Sequence, residues 1–270
     1  MVVALLLAAA LAHPTTAANR ISAHVEAAAL LQRVVLPARS RRLAGAPGDA
    51  GGLLSRPWQT SVYANVVDRA RFWRVDAPLD AVAAFLRAHR PRGSRFDSGE
   101  LSPEPRGLLF DLPRTRSLYQ RRLALTLAPL PDGSTGVRVD AEVVWTVERP
   151  PSEVVPGGVR QIDLTTPASA RRIVEPAKVR TIVRWLDALP VDQPTRGIFG
   201  CPAVLGPNLH LVFRDADGRV LARASVAANR GYSSFCNAIS FAVAGRAEQP
   251  LLGGWFVRRV ERLTNFHPRG

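Results

Sequence analysis

Hydrophobic and polar residues alternate most regularly over 136–148. There Val137, Val139, Ala141, Val143, Trp145 and Val147 fall between Arg138, Asp140, Glu142, Val144, Thr146 and Glu148. Leu123, Leu125 and Leu127 repeat the two-residue period in the run 118–130 just before it. A period of two sends successive side chains to opposite faces of a strand, so both runs predict half-buried β-strands. Pro131-Asp132-Gly133-Ser134-Thr135 between them has turn chemistry, and the pair reads as an antiparallel hairpin. Pairing Leu125 with Ala141 sets Leu123 opposite Val143 and Leu127 opposite Val139. One face then packs in a core and the charged face stays in water.

Weaker patterns fill in the rest. Phe72-Trp73-Arg74-Val75 predicts a strand, and Asp76 and Pro78 after it are helix-start residues. Leu79, Val82, Phe85, Leu86 and His89 then recur at helical spacing as far as Pro91. Residues 92–106, with Gly93, Gly99, Pro103 and Pro105, predict an exposed loop. A helix is expected from Pro176 to Pro190 on the stripe Val179, Ile182, Val183, Leu186 and Leu189. Leu209 to Phe213 and Val220 to Val226 flank Asp215-Ala216-Asp217-Gly218 as a second hairpin, and a third strand is expected over 235–243. Pro250 opens a last amphipathic segment whose stripe is Leu252, Trp255, Phe256, Val260 and Leu263. Near the start, residues 22–36 predict a short helix begun by Ser22 and stopped by Pro37.

Pro- and Gly-rich stretches punctuate these elements. The expected organisation is a leader over 1–18, a short helix and Arg/Gly/Pro-rich linker over 19–57, and a module over 58–150 built on the long hairpin. A linker over 151–166 and a second module over 167–270 complete it. The fold class is α+β: antiparallel sheets with amphipathic helices packed on one face, in two small modules.

Charge and cysteine content add a setting. The chain has 36 Lys+Arg against 22 Asp+Glu, a net +14, and Lys178 is its one lysine. An excess of that size favours anionic surroundings such as phospholipid heads, envelope polymers or nucleic acid. The candidate basic surface is Lys178, Arg180 and Arg184 on one predicted helix and Arg258, Arg259 and Arg262 on the other, all off the apolar stripes. Residues 2–12 form an uncharged apolar run of the length of a signal-peptide core, too short to cross about 30 Å of hydrocarbon. Thr16-Ala17-Ala18 offers small residues for cleavage. No Lys or Arg precedes the run, which leaves a start further upstream or a truncated anchor as the two expectations. The two cysteines, Cys201 and Cys236, are expected to form a disulfide. It would close a loop of roughly 35 residues, for about 3–4 kcal/mol of stabilisation. Such a bond persists in an oxidising compartment, so the pair and the apolar run both point to an exported protein, extracellular or on the outer face of the cytoplasmic membrane.

Motifs for chemistry are sparse. The sequence has no nucleophile elbow, no zinc-protease helix, no phosphate loop and no C-x-x-C pair. No cofactor, metal or small-molecule ligand is therefore expected. His89 suits a helix end, His210 a half-exposed strand and His267 a frayed tail. Asp140 and Glu142 share a strand face, as paired catalytic carboxylates would, but Arg138 shares it too. The dibasic pairs lack interleaved exposed aromatics, so nucleic acid is not an expected partner.

Four phrases, Val35-Leu36-Pro37, Phe72 to Pro78, Gly136 to Ala141 and the segment from Cys201-Pro202 to Cys236, resemble a group of exported actinobacterial proteins with no known activity. The likeness runs from about residue 22 to the end of the chain and implies residence in the envelope. The functional expectation is a non-enzymatic binding or structural role there, toward anionic components or another exported protein. Two alternatives stand beside it. One is a hydrolase whose site is assembled from dispersed residues such as His210, Asp140 and Glu142. The other is a secreted inhibitor presenting the disulfide-braced loop at Cys201.

Overall fold

In the computed structural model, residues 15–50, 52–98, 105–196, 208–227, 238–253 and 255–266 are described. The fold is α+β, with four helices and two antiparallel sheets, and the chain divides into two compact units. The first holds the residues up to Val147 together with Gln193–Arg196; the second holds Glu148–Asp192 and the chain from Gly197 onward.

The first unit is built on a six-stranded sheet. Its strands are β1 (Ser40–Leu43), β2 (Val66–Val75), β3 (Arg95–Ser98), β4 (Arg106–Leu112), β5 (Leu118–Pro129) and β6 (Thr135–Trp145), in the order β1-β2-β6-β5-β4-β3. Helices α1 (Thr16–Gln32) and α2 (Leu79–Ala88) cover one face. They bury Ala23, Ala27, Leu30, Val82 and Leu86 against Leu123, Leu125, Leu127, Val137, Val139, Ala141 and Val143.

Two local choices fix the frame. Helix α1 starts six residues before the expected Ser22, because Thr15 Oγ1 accepts the amide of Ala18 at 3.1 Å. The small residues expected as a cleavage site therefore form its first turn, and the Ser22 hydroxyl donates back to Ala18 O instead. The hairpin of β5 and β6 forms as expected, but its register is shifted by two: Leu125 faces Val139 and Leu123 faces Ala141. Pro131 has no N–H to extend the ladder. The turn closes earlier, with Leu130 N donating to Ser134 O at 2.9 Å and Gly133 at φ +80°. A slip of two keeps every side chain on its own face.

One expectation fails outright. The charged face of β6 is not wet: Arg138, Asp140 and Glu142 are 9%, 0% and 1% exposed. Residues from the end of the expected linker and the start of the expected module, among them Leu54, Ser55, Trp58 and Ser61, lie across that face. Leu54 packs with Ala50, Ala128 and Leu130, and the Trp58 indole rests on Gly107. The exposed loop expected over 92–106 gives up its ends to β3 and β4. In β4 the unbroken run Gly107 to Phe110 is buried because both faces of the sheet are covered here.

The second unit carries a seven-stranded sheet. Strands β7 (Gln161–Thr166), β8 (Ser169–Ile173), β9 (Asn208–Arg214), β10 (Val220–Ala227), β11 (Ala238–Val243) and β12 (Arg246–Ala247) lie in the order β12-β11-β10-β9-β7-β8, and β13 (Leu251–Leu252) pairs with β11. The expected linker 151–166 thus contributes β7, where Ile162 and Leu164 alternate into the core. Helices α3 (Pro176–Asp187) and α4 (Phe256–Thr264) pack on one face, over Leu209, Leu211, Phe213, Ala224 and Phe241. Arg149 closes the end of α3, its Nη1 donating to Leu186 O at 2.9 Å and its guanidinium lying 4.9 Å from the Phe241 ring centre.

A Cβ on Gly107 would stand 2.3 Å from Trp58 Cδ2. Gly107→Ala is expected to destabilise the first unit by about 1–3 kcal/mol in urea unfolding. Adding Trp58→Ala, which clears the clash, should recover part of that loss.

Candidate functional site

The densest charge in the protein lies on the covered face of the first sheet. Pairing across four strands sets Asp111 (β4), Arg122 (β5), Glu142 (β6) and Asp68 (β2) in one row. The next β6 positions on this face are Asp140 and Arg138, the latter opposite Thr126 on one side and Phe72 on the other. The Arg138 guanidinium lies over the Phe72 ring, 5.5 Å from its centre. It donates twice from Nε to the Asp140 carboxylate, at 3.0 and 2.9 Å, and again from Nη2 at 2.6 Å. Its remaining nitrogen, Nη1, donates to Ser55 O at 2.7 Å and to Leu54 O at 3.3 Å. Trp58 N donates to Thr126 Oγ1 at 3.1 Å, and Ser61 N to Glu142 Oε1 at 2.8 Å.

These contacts set the electrostatics. Loss of water drives the Asp140 carboxyl above its ordinary value even though Arg138 pulls it down. Glu142 is pushed up from 4.5 to about 7, first by burial, with the charges of Asp68 and Asp140 adding and the Ser61 amide and Arg122 opposing. Its second oxygen, Oε2, has no hydrogen-bond partner among the described residues. Asp68 is exposed but is also raised, by desolvation and then by Asp140, with Arg138 lowering it. Arg122 is engaged at Asp111 Oδ1, 2.9 Å away.

Asp140 has no surface to offer a substrate, and Glu142 sits beneath the Ser61 amide. His210 belongs to the other unit. There it lies exposed on the uncovered sheet face, in a cross-strand row with Thr165, Ser225 and Ser240. Among the described residues, the lining of the shallow concavity of about 430 Å3 over that row holds no carboxylate. His89 ends α2, its Nδ1 2.9 Å from Phe85 O and its ring stacked on Phe85. Among the described residues no group of three His, Cys, Asp or Glu could hold a metal ion. Cys201, Cys236 and His267 lie outside the described residues, as does the run 2–12.

The basic residues read from sequence divide in two. On α4, the buried side is Phe256, Val257, Val260, Glu261 and Thr264. Arg258, Arg259 and Arg262 are exposed on the other side. Trp255, expected in the core stripe, is 63% exposed there with them. The helix begins only at Phe256, so Trp255 is its N-cap and falls in phase with Arg258 and Arg262. The Arg258 guanidinium stacks 4.6 Å from the Trp255 ring centre, and Arg259 lies 5.9 Å from that of Trp185 on α3. Trp255, Arg258, Glu261 and Arg262 line an open hollow of about 420 Å3. On α3, Arg180 and Arg184 are exposed on the side turned away from Trp185, and half-buried Lys178 bonds Glu175 at 3.2 Å. Among the described residues Arg180, Arg184, Arg259 and Arg262 form no ion pair. Asp163, on the sheet face away from these helices, is occupied by Arg172 and Arg214. No known protein family, curated protein or solved structure matches the chain.

Raising the folded-state value of a carboxyl gives stability that is complete below the unfolded value and is lost as pH rises through the folded one. For Glu142 that window runs from 4.5 to about 7. A full shift of this size corresponds to about 3 kcal/mol. Asp68 and Asp140 act with the same sign. Urea midpoints should fall from pH 4.5 toward 7 and then level. Glu142→Gln should flatten much of that slope and be the more stable protein at pH 8; an unchanged slope in this variant would refute the assignment.

Proposed function

We propose that this is a non-enzymatic binding protein of the cell envelope, which holds an anionic surface or another exported protein through the outer side of α4 and the adjoining α3. One observation carries the reading: Trp255 stands open to solvent in phase with Arg258 and Arg262, with Arg259 beside them. A fixed aromatic among arginines suits a phosphate- or carboxylate-rich surface, since the guanidinium binds the anion in a fork and the indole takes the apolar boundary. Arg180, Arg184, Arg259 and Arg262, which form no ion pair among the described residues, support the same direction, because paired cations have little field left for a partner. Enzymatic readings are weaker, as the carboxylates they need, Asp140 and Glu142, are buried. The inhibitor reading depends on a loop outside the described residues.

Export is part of the proposal and rests on the apolar run 2–12 and the cysteine pair. Asn208 and Ala238 open β9 and β11 at the same end of β10, the strand to which both pair. The chain on the N-terminal side of each carries one of the cysteines. Protein recovered from its native host should therefore take up alkylating reagent at Cys201 and Cys236 only after reduction. Free thiols at both would remove this support.

The surface reading is checked on a sulfated polysaccharide resin, which presents anionic charge without lipid. Wild-type protein should be retained at roughly physiological ionic strength and elute as salt rises. Arg258→Glu with Arg262→Glu should elute at about half the salt or less, with unchanged circular dichroism. Trp255→Ala should weaken retention by a smaller factor. Equal elution of the charge-reversed and wild-type proteins would overturn the proposal.

A further inference from the structure

Helix α1 has a side that the first unit leaves unused. Asn19, Ala23, Ala27, Leu30 and Leu31 turn inward. Opposite them, Ile21 and Val25 are each 66% exposed. They stand four residues apart, one above the other on the helix surface. Helical spacing puts Ala17, Ala18, Ala28 and Gln32 on that same side, so the stripe carries no charge. The charged groups of α1 lie at its flanks. Arg20 sits over the Trp145 ring, 5.5 Å from its centre, and Glu26 is taken by Arg121 and Arg33.

A single exposed isoleucine on a surface is ordinary; a registered pair on an uncharged helical stripe is a docking surface in the making. What it docks on is indicated by the chain before it. Residues 2–12 are Val, Ala and Leu without one polar side chain, and only His13, Pro14 and Thr15 separate them from the first turn of α1. That run is apolar enough to enter one leaflet. The apolar character of the run continues onto the outer stripe of the helix. Arg20 and Arg33 at the flanks are placed as the cations of an interfacial helix are, at the level of the headgroups.

We propose that the outer face of α1 lies on a lipid bilayer, with Ile21 and Val25 at the boundary between headgroups and acyl chains beside the run 2–12. This contact is apolar and belongs to the first unit, so it stands apart from the electrostatic surface proposed for α4.

The test uses the full chain carrying Val25→Trp, with vesicles of uncharged phosphatidylcholine brominated in the upper acyl chain, at a salt concentration that suppresses charge attraction. The added indole, read as the difference from the unaltered chain, should be quenched about twofold or more by these lipids. Ile21→Trp serves as a second reporter on the same stripe should the first variant not fold. An unquenched reporter in protein that sediments with the vesicles would mean that only the run 2–12 enters the membrane, and would overturn the proposal. A reporter that becomes shielded without lipid, increasingly with protein concentration, would assign the stripe to a second copy of the chain and overturn it equally. Neither result bears on retention by the sulfated resin.

Discussion

The Arg138 guanidinium joins the two parts of the first unit that the chain brings together from far apart. Its fork neutralises Asp140 within β6, and its remaining nitrogen binds the carbonyls of Leu54 and Ser55 in the covering segment. Each partner makes the other tolerable. A carboxylate with no exposed surface costs several kcal/mol unless it is paired, and breaking such a pair typically costs about 3–5 kcal/mol. The covering segment has few backbone bonds of its own to the sheet, so Arg138, Thr126 and Glu142 supply them from below. That is why β6 can be buried on both faces while carrying three ionisable residues in five positions.

This arrangement explains where the sequence could be read and where it misled. Period-two alternation found the hairpin and its apolar face, because burying Leu123, Leu125 and Leu127 requires nothing outside the pattern. It could not say that the other face is dry. Alternating Arg138, Asp140 and Glu142 looks the same on a solvated strand as in a row that neutralises itself. The signal lay elsewhere, in Leu53, Leu54 and Trp58 within a segment otherwise made of Gly, Pro, Ser and Arg. Apolar residues of that size in a linker need a surface to cover. The same reasoning recovers β7, where Ile162 and Leu164 alternate between Gly158 and Pro167. Trp255 erred the other way: its hydrophobicity suggested core, but the helix boundary one residue later rotates it outward.

The two units treat the second face of their sheets differently. In the first, chain is laid over it, and the ionisable groups beneath are shifted. In the second, Thr165, His210, Val212, Ser225 and Ser240 remain open or half open, and Asp163 is held by arginines without deep burial. Its carboxyl is lowered, not raised: desolvation is the largest single effect and raises it, but the hydrogen bonds from Arg214, Arg172 and Gln161 together outweigh it. The carboxyl that burial on a sheet face raises to about 7 therefore lies in the first unit, at Glu142.

The same comparison bears on where binding can occur. Arginines that stabilise the fold are committed: Arg138 to Asp140, Arg122 to Asp111, Arg214 and Arg172 to Asp163, Arg149 to the carbonyls at the end of α3. Their charge is cancelled at short range and contributes little field beyond the surface. On the outer side of α4, Arg258 and Arg259 also stack on aromatic rings, those of Trp255 and Trp185. An aromatic face orients a guanidinium without neutralising it. Among the described residues, Arg259 stacked on Trp185 keeps a charge that a partner can use, whereas an arginine that meets a carboxylate has largely spent its own.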